Sequence, residues 1–147
     1  MARYVERAES VARLIAVNAM FARDDAGLAD WRKVLELYAD LEAFMAREED
    51  PDGAAVTYFY ILDPDNPGSI LASLRQAREN ARAIRHLIST EMWTHLNTLY
   101  NDIRHRTRRD LRGSNLARLC DQLVLSCQTF NGVAEGTFFR SEAWLFA

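Results

Sequence analysis

The sequence predicts an all-α fold, a bundle of about five to six helices around one long central helix, and three observations support it. The 147 residues include only six glycines and three prolines, whereas alanine, leucine, arginine and glutamate are plentiful. Those four residue types favour helices. Apolar residues recur at helical spacing along most of the chain, and no pair of strand patterns is present. A chain of this length forms a single domain, residues 1–147.

The first half predicts three helices. One spans Arg3–Arg23, where apolar residues recur every three or four positions. A second helical region covers Ala29–Glu48 and ends at a turn marked by Pro51 and Gly53. Ala54–Leu62 is rich in β-branched and aromatic residues, which favour a strand, but a lone strand would have no partner. We therefore interpret this segment as a short buried helix.

The second half predicts a long helical segment and a final helix. The loop Asp63–Gly68 ends the short helix, and Asn66 is predicted to cap the next one, with Pro67 at its first position. The apolar stripe that follows keeps its helical phase throughout, so the segment is one long helix or two helices that separate near Ser89. Gly113 is predicted to end this segment.

Charge, cysteines and hydropathy exclude several classes of protein. The net charge of −3 argues against a protein devoted to nucleic acid. No apolar run approaches the roughly 18 residues of a membrane span, and no signal peptide opens the chain. Cys120 and Cys127 are about 10 Å apart along a helix, too far for a disulfide. We predict reduced core cysteines, a cytoplasmic location, and neither a metal nor a cofactor.

A row of arginines runs beside the apolar stripe of the long segment. Arg75, Arg78, Arg82 and Arg85 are spaced three or four residues apart. Their stems can lie on the core while their guanidinium groups reach carboxylates or a bound anion. The alternative is a solvated basic face with Glu79 as a partner. If Arg82 closes a buried pair, Arg82→Ala would cost on the order of 2–4 kcal/mol.

Two other polar groups are candidates for chemistry. Glu91 and His95 lie one helical turn apart and can share a proton or ligate a metal, although two ligands are too few for a metal site. The alternative is a buried, hydrogen-bonded His–Glu pair. The basic run Arg104–Arg112 can contact phosphate, or it is an exposed helix end where positive charge suits the dipole.

Four segments together resemble the alpha-E domain family, a group of bacterial all-helical proteins: Arg3–Leu14, Asp63–Arg85, Ser89–Tyr100 and Glu135–Phe146. Carried over position by position, the motif residues are Arg3, Glu6, Arg7, Glu9, Asn66, Pro67, Ser69, Arg78, Glu79, Asn80, Arg82, Arg85, Glu91, Trp93, Asn97, Gly136, Thr137, Arg140, Glu142 and Trp144. Family members tend to be encoded beside, or fused to, circularly permuted ATP-grasp proteins and transglutaminase-like proteins. The resemblance therefore implies a role in peptide metabolism.

Family members are longer and repeat the RYVERAE element, so the chain resembles a single half of them. A half with an apolar end is expected to bury that end against a second copy, so we predict a homodimer, with exchange of terminal helices as one form.

Three functions follow as hypotheses. The first is a helical accessory or scaffold protein that acts with an ATP-grasp-type ligase on peptide-like amide bonds. The second is an enzyme with Glu9, Glu91 or Glu142 as general base, His95 as a further catalytic candidate, and carboxylate binding by the arginine candidates. Those binding candidates are Arg78, Arg82, Arg85 and Arg140. The third is nucleic-acid contact through Arg104–Arg112. An enzyme requires these groups to converge in one cleft, whereas a scaffold uses them in internal pairs.

Overall fold

A computed structural model describes residues 1–24, 30–47 and 50–138 of the chain. This part of the chain contains seven α-helices, one short 3-10 helix and no strand, which confirms the predicted all-α class. The elements in order are α1 (Ala2–Asp24), α2 (Trp31–Leu37), α3 (Leu41–Met45), α4 (Gly53–Ile61), α5 (Ile70–Ala83), α6 (Thr90–Arg104), the 3-10 helix Arg108–Leu111, and α7 (Ser114–Phe138).

The core forms where α1 packs against α5 and α7. Val5, Ala8, Ala12 and Ile15 of α1 are fully buried, as expected for one face of an amphipathic helix. Helix α6 completes the bundle by packing against α5 and α7. The two cysteines of α7 are free and buried, as predicted. Burial raises the pKa of both thiols to about 12, which keeps them protonated and unreactive.

The predicted helical region Ala29–Glu48 is two short helices, because the chain turns at Ala39. Ala39 adopts a left-handed conformation with φ of 58°. Its N–H donates to Glu36 O at 3.1 Å, and the N–H of Asp40 donates to Leu35 O at 2.8 Å. These two bonds satisfy the last carbonyls of α2 in a Schellman motif. The turn places Asp40 beside α4, where its side chain meets Tyr60.

Helix α4 confirms the interpretation of Ala54–Leu62 as a short buried helix. The Asp52 side chain accepts a hydrogen bond from Ala55 N at 2.7 Å and so caps its first turn. The residues buried along α4 are Val56, Thr57, Phe59, Tyr60 and Ile61. They cover more than one face, and a helix surrounded by other elements needs no polar stripe.

The predicted cap of α5 is wrong by three residues. Ser69 caps the helix, since its Oγ accepts from Ala72 N at 3.1 Å. Asn66 is instead held in the preceding loop, where its Nδ2 donates to Phe59 O and its Oδ1 accepts from Gly68 N, both at 2.9 Å. Asn66 therefore fixes the loop that joins α4 to α5.

The long segment is two helices, not one. Helix α5 ends at Ala83, and Ser89 caps α6 by accepting from Met92 N at 3.1 Å. Helix α6 ends at Arg104, before the predicted end at Gly113, which has a φ of 55° just before α7. The two additional breaks, at Ala39 and Ser89, account for a helix count above the predicted five to six. Across residues 1–24, 30–47 and 50–138, no helix combines the length and apolarity of a membrane span.

Candidate functional site: the Arg7 cleft

Arg78 lies between α5 and α6 and holds the two helices together. Its Nε donates to Asn97 Oδ1 at 2.6 Å. Its guanidinium also lies 5.7 Å from the ring centroid of Trp93 and 5.5 Å from that of Tyr100, close enough for attraction to the ring faces. An ion pair with Glu79 at 3.1 Å completes its contacts. This arginine is therefore engaged within the protein.

Arg85 and Arg82, on the same row, differ in their surroundings. Arg85 donates to Ile88 O and Thr90 Oγ1, both at 3.3 Å, and so braces the turn between α5 and α6. The side chain of Arg82 is 72% exposed and approaches Glu79 Oε2 only at 3.9 Å. The hypothesis that Arg82 closes a buried pair is therefore wrong, because this position faces solvent.

His95 and Glu91 do not form the predicted pair. His95 Nε2 donates to Ser126 O on α7 at 2.8 Å, and the ring stacks on Phe130 with a centroid distance of 6.3 Å. Glu91 is exposed in the first turn of α6, where negative charge suits the helix dipole. His95 thus joins α6 to α7, because a backbone carbonyl takes its N–H in place of the carboxylate.

The remaining catalytic and binding candidates are also separated. Glu9 pairs with Arg13 at 2.8 Å, one turn along α1. Glu142 and Arg140 lie outside the described residues. In the part of the chain that the structure describes, the candidates therefore lie on α1, α5 and α6 and, for Arg85, in the turn between α5 and α6. Arg78 and Arg82 share Glu79, and the described candidates do not converge on one cleft.

The basic run Arg104–Arg112 is partly neutralised by contacts within the chain. Arg106 Nη2 donates to both carboxylate oxygens of Asp102 at 3.0 Å. The guanidinium of Arg108 lies 3.7 Å from the ring centroid of Tyr58. The ion pair offsets one positive charge of the run, and the ring contact holds the Arg108 guanidinium against α4, so the run presents less charge to a phosphate backbone.

A cleft that the sequence did not predict opens at another side of the bundle. It has a volume of about 710 Å³ and lies between α1, the α2–α3 turn, α4 and the loop before α5. Small-molecule sites in proteins have volumes of this order. The residues that give it its character are Arg7, Tyr38, Asp40, Phe59, Tyr60 and Asn66. We call it the Arg7 cleft.

Asp40 and Tyr60 form a polar wall of the Arg7 cleft. The Tyr60 hydroxyl donates to Asp40 Oδ2 at 3.0 Å. Burial, and then the hydrogen bond to Asp40, raise the pKa of Tyr60 above its usual value, so the phenol stays a neutral donor. Among the described residues no donor reaches Asp40 Oδ1. The hydrogen bond to Oδ2 thus orients the Asp40 carboxylate, and Oδ1 is available to a ligand.

Arg7 supplies the positive charge of the cleft. The pKa of Tyr38 is raised above its usual value, mainly by burial, and the nearby charge of Arg7 opposes that rise. Within residues 1–24, 30–47 and 50–138, Arg7 forms no ion pair. The second arginine of the cleft is engaged, because Arg47 pairs with Asp63 at 2.8 Å and lies over the Phe59 ring. Arg7 is therefore the cation that the cleft offers to a ligand.

Sequence reasoning found part of this cleft through the family resemblance, which marked Arg7, Asn66 and Pro67. It missed Tyr38, Asp40 and Tyr60. Spacing carries no signal for them, because Asp40 and Tyr60 are twenty residues apart and come together through the turn at Ala39. In the described residues, no group of three or more His, Cys, Asp and Glu side chains is arranged to hold a metal ion.

Comparison with models of protein families gives a match over the full length of the chain. A family model described as a predicted alpha-helical domain with a conserved ER motif matches residues 1–147, the whole chain. Glu6–Arg7 is the single Glu-Arg dipeptide of the sequence, so the arginine of that dipeptide is the cation of the Arg7 cleft. Neither a curated protein nor a solved structure matches the chain. The match over the full length shows that the chain belongs to the Alpha-E family.

Proposed function

We propose that this protein is a helical accessory protein that acts with an ATP-grasp-type ligase, in the cytoplasm, to form or process peptide-like amide bonds. The observation that carries the accessory role is that one catalytic candidate and two binding candidates serve as internal braces. Arg78 joins α5 to α6, Arg85 holds the turn between them, and His95 joins α6 to α7. Groups that do chemistry converge on one cavity, whereas these stabilise the bundle. The ligase partner is implied by the resemblance to alpha-E proteins.

The test is capture of the tagged chain from its native host. We expect an ATP-grasp-type ligase to be enriched over a tagged helical protein of similar size. The purified ligase should then release ADP faster in the presence of this chain, with an amino-acid acceptor supplied. A ligase that is neither captured nor accelerated contradicts the proposed partnership.

We further propose that the chain forms a homodimer through a groove between α1 and α7. Val17 of α1 is 48% exposed there and Leu125 of α7 is 66% exposed. Arg13 and Asp121, from the two helices, also line the groove. Opposite charges within one apolar groove make it self-complementary, because a two-fold axis can set each charge against its opposite on the second copy.

Sedimentation or light scattering tests the dimer. Leu125→Glu is expected to yield monomers, because it places a charge in the apolar groove. Leu37→Glu is the matched control, since Leu37 is 70% exposed on α2 and does not line the groove. If the unaltered chain is already a monomer, or if Leu125→Glu remains a dimer, this interface is wrong.

A further inference from the structure

The Arg7 cleft combines opposite charges that do not neutralise each other. Arg7 and Asp40 line the same cleft, yet among the described residues they form no ion pair. Asp40 is instead oriented by the Tyr60 hydroxyl, and one of its oxygens remains available. A cation and an anion held apart in one cleft are complementary to a ligand that carries both charges.

Apart from Arg47, Asn66 and the exposed carboxylate of Asp65, the rest of the lining is apolar or aromatic. Phe59 is held in place by its neighbours, with the ring of Phe44 packed edge-on at a centroid distance of 5.3 Å. Tyr38 is 40% exposed and packs on Tyr60 at 5.6 Å between centroids. Fixed rings of this kind bind the uncharged body of a ligand at little entropic cost. The cleft thus offers the Arg7 guanidinium, the oriented carboxylate of Asp40, the exposed carboxylate of Asp65 and an aromatic surface.

The floor of the cleft is rigid. Asn66 is 3% exposed and bonds to both Phe59 O and Gly68 N. Arg47 is tied to Asp63. Because these groups already have partners, a ligand need not rearrange the loop, and the site is formed in advance.

We propose that the Arg7 cleft binds a short zwitterionic peptide, with the peptide carboxylate on Arg7 and its ammonium on Asp40. This proposal rests on the proposed function for the peptide-like nature of the ligand, and it adds the site and the two charged contacts. Arginine suits the carboxylate because its planar donors match two carboxylate oxygens. Asp40 suits the ammonium because its oriented carboxylate accepts strong charge-assisted hydrogen bonds.

The experiment is calorimetric titration of the purified chain with the dipeptide L-alanyl-L-phenylalanine and two blocked forms. The N-acetyl form lacks the ammonium, and the C-terminal amide lacks the carboxylate. We expect each blocked form to bind about tenfold or more weakly, which corresponds to one charge-assisted contact of about 1.4 kcal/mol.

Two substitutions assign the charged ends. Arg7→Gln should weaken the free dipeptide and the N-acetyl form by about tenfold and leave the amide unchanged, because the amide makes no contact that arginine supports. Asp40→Asn should weaken the free dipeptide and the amide and leave the N-acetyl form unchanged. Arg23→Gln is the matched control, since Arg23 is on the same helix but lines neither the cleft nor the groove proposed for the dimer. Circular dichroism confirms that each variant is folded.

Other outcomes overturn the proposal. If the free dipeptide does not bind, or if Arg7→Gln binds it as tightly as the unaltered chain does, the cleft is not a peptide site. An N-acetyl form that binds as tightly as the free dipeptide overturns the zwitterion in favour of a simple carboxylate. The titration contains no ligase. If the dipeptide does not bind but the capture experiment does yield a ligase, the partnership stands. If the dipeptide binds but the capture experiment yields no ligase, the site stands and the partnership is overturned.

Discussion

The Arg7 cleft and the face between α5 and α6 use the same residue types in opposite ways. On the α5–α6 face, Arg78 is bonded to Asn97 and stacked on aromatic rings. In the cleft, Arg7 lies near Tyr38 and forms no ion pair with any described residue. Regular helical spacing therefore indicates only the helix face on which an arginine lies. Its partners decide whether it stabilises the fold or remains available to a ligand.

Substitution of Arg78 and of Arg7 should change the stability of the fold by very different amounts. Arg78→Ala should lower the free energy of unfolding by roughly 2–3 kcal/mol, because it removes a charged hydrogen bond and two ring contacts. Arg7→Ala should change it by less than about 0.5 kcal/mol, since no bond is lost. Urea unfolding followed by circular dichroism measures both. Equal losses of unfolding free energy in Arg78→Ala and Arg7→Ala would contradict the proposed difference between the α5–α6 face and the cleft.

The helices of the bundle could be predicted because the repeat of apolar residues is visible in the sequence and does not depend on tertiary contacts. Val5, Ala8, Ala12 and Ile15 are buried as their spacing requires. The breaks were harder to predict. The turn at Ala39 uses an alanine in the left-handed conformation, which costs about 1 kcal/mol in a residue with a Cβ. Because no glycine stands there, the sequence does not mark the turn.

The cap of α5 shows a second limit of the sequence. Asn66 and Ser69 are both good capping residues, and Asn66 followed by Pro67 matches the usual start of a helix. The tertiary structure decides between them, because the amide of Asn66 is taken by the carbonyl of Phe59 seven residues earlier. The cleft depends on the same long-range contacts, so its polar wall could not be derived from spacing.

A smaller effect concerns Tyr60, the donor that orients Asp40 in the cleft. Tyr60→Phe should cost about 1 kcal/mol at neutral pH, since Asp40 loses its hydrogen bond. The pKa of Tyr60 is raised in the folded chain, first by burial. The stability this gives is fully present below about pH 10, where the unfolded phenol ionises, and is lost as the pH rises further.

The pH dependence provides the measurement. Between about pH 9 and pH 11 the unfolding free energy of the unaltered chain should fall, and the part due to Tyr60 amounts to at most about 1.4 kcal/mol per pH unit above pH 10. Tyr60→Phe should fall less steeply over that range, whereas the buried thiols lower both curves alike. Parallel curves would show that Tyr60 does not hold its proton in the folded chain.

Substitution of Arg82 should change the stability least, because this residue shares the spacing of the α5 row but its side chain faces solvent. Its side chain is 72% exposed and its contact with Glu79 is long, at 3.9 Å. Surface pairs of this kind contribute little, so Arg82→Ala should change the unfolding free energy by less than about 0.5 kcal/mol. Raising the salt concentration should abolish even that difference, because exposed charges are screened. A loss as large as that of Arg78→Ala would mean that the arginines of the row stabilise the fold cooperatively. Arg82 would then contribute through contacts that depend on the neighbouring arginines.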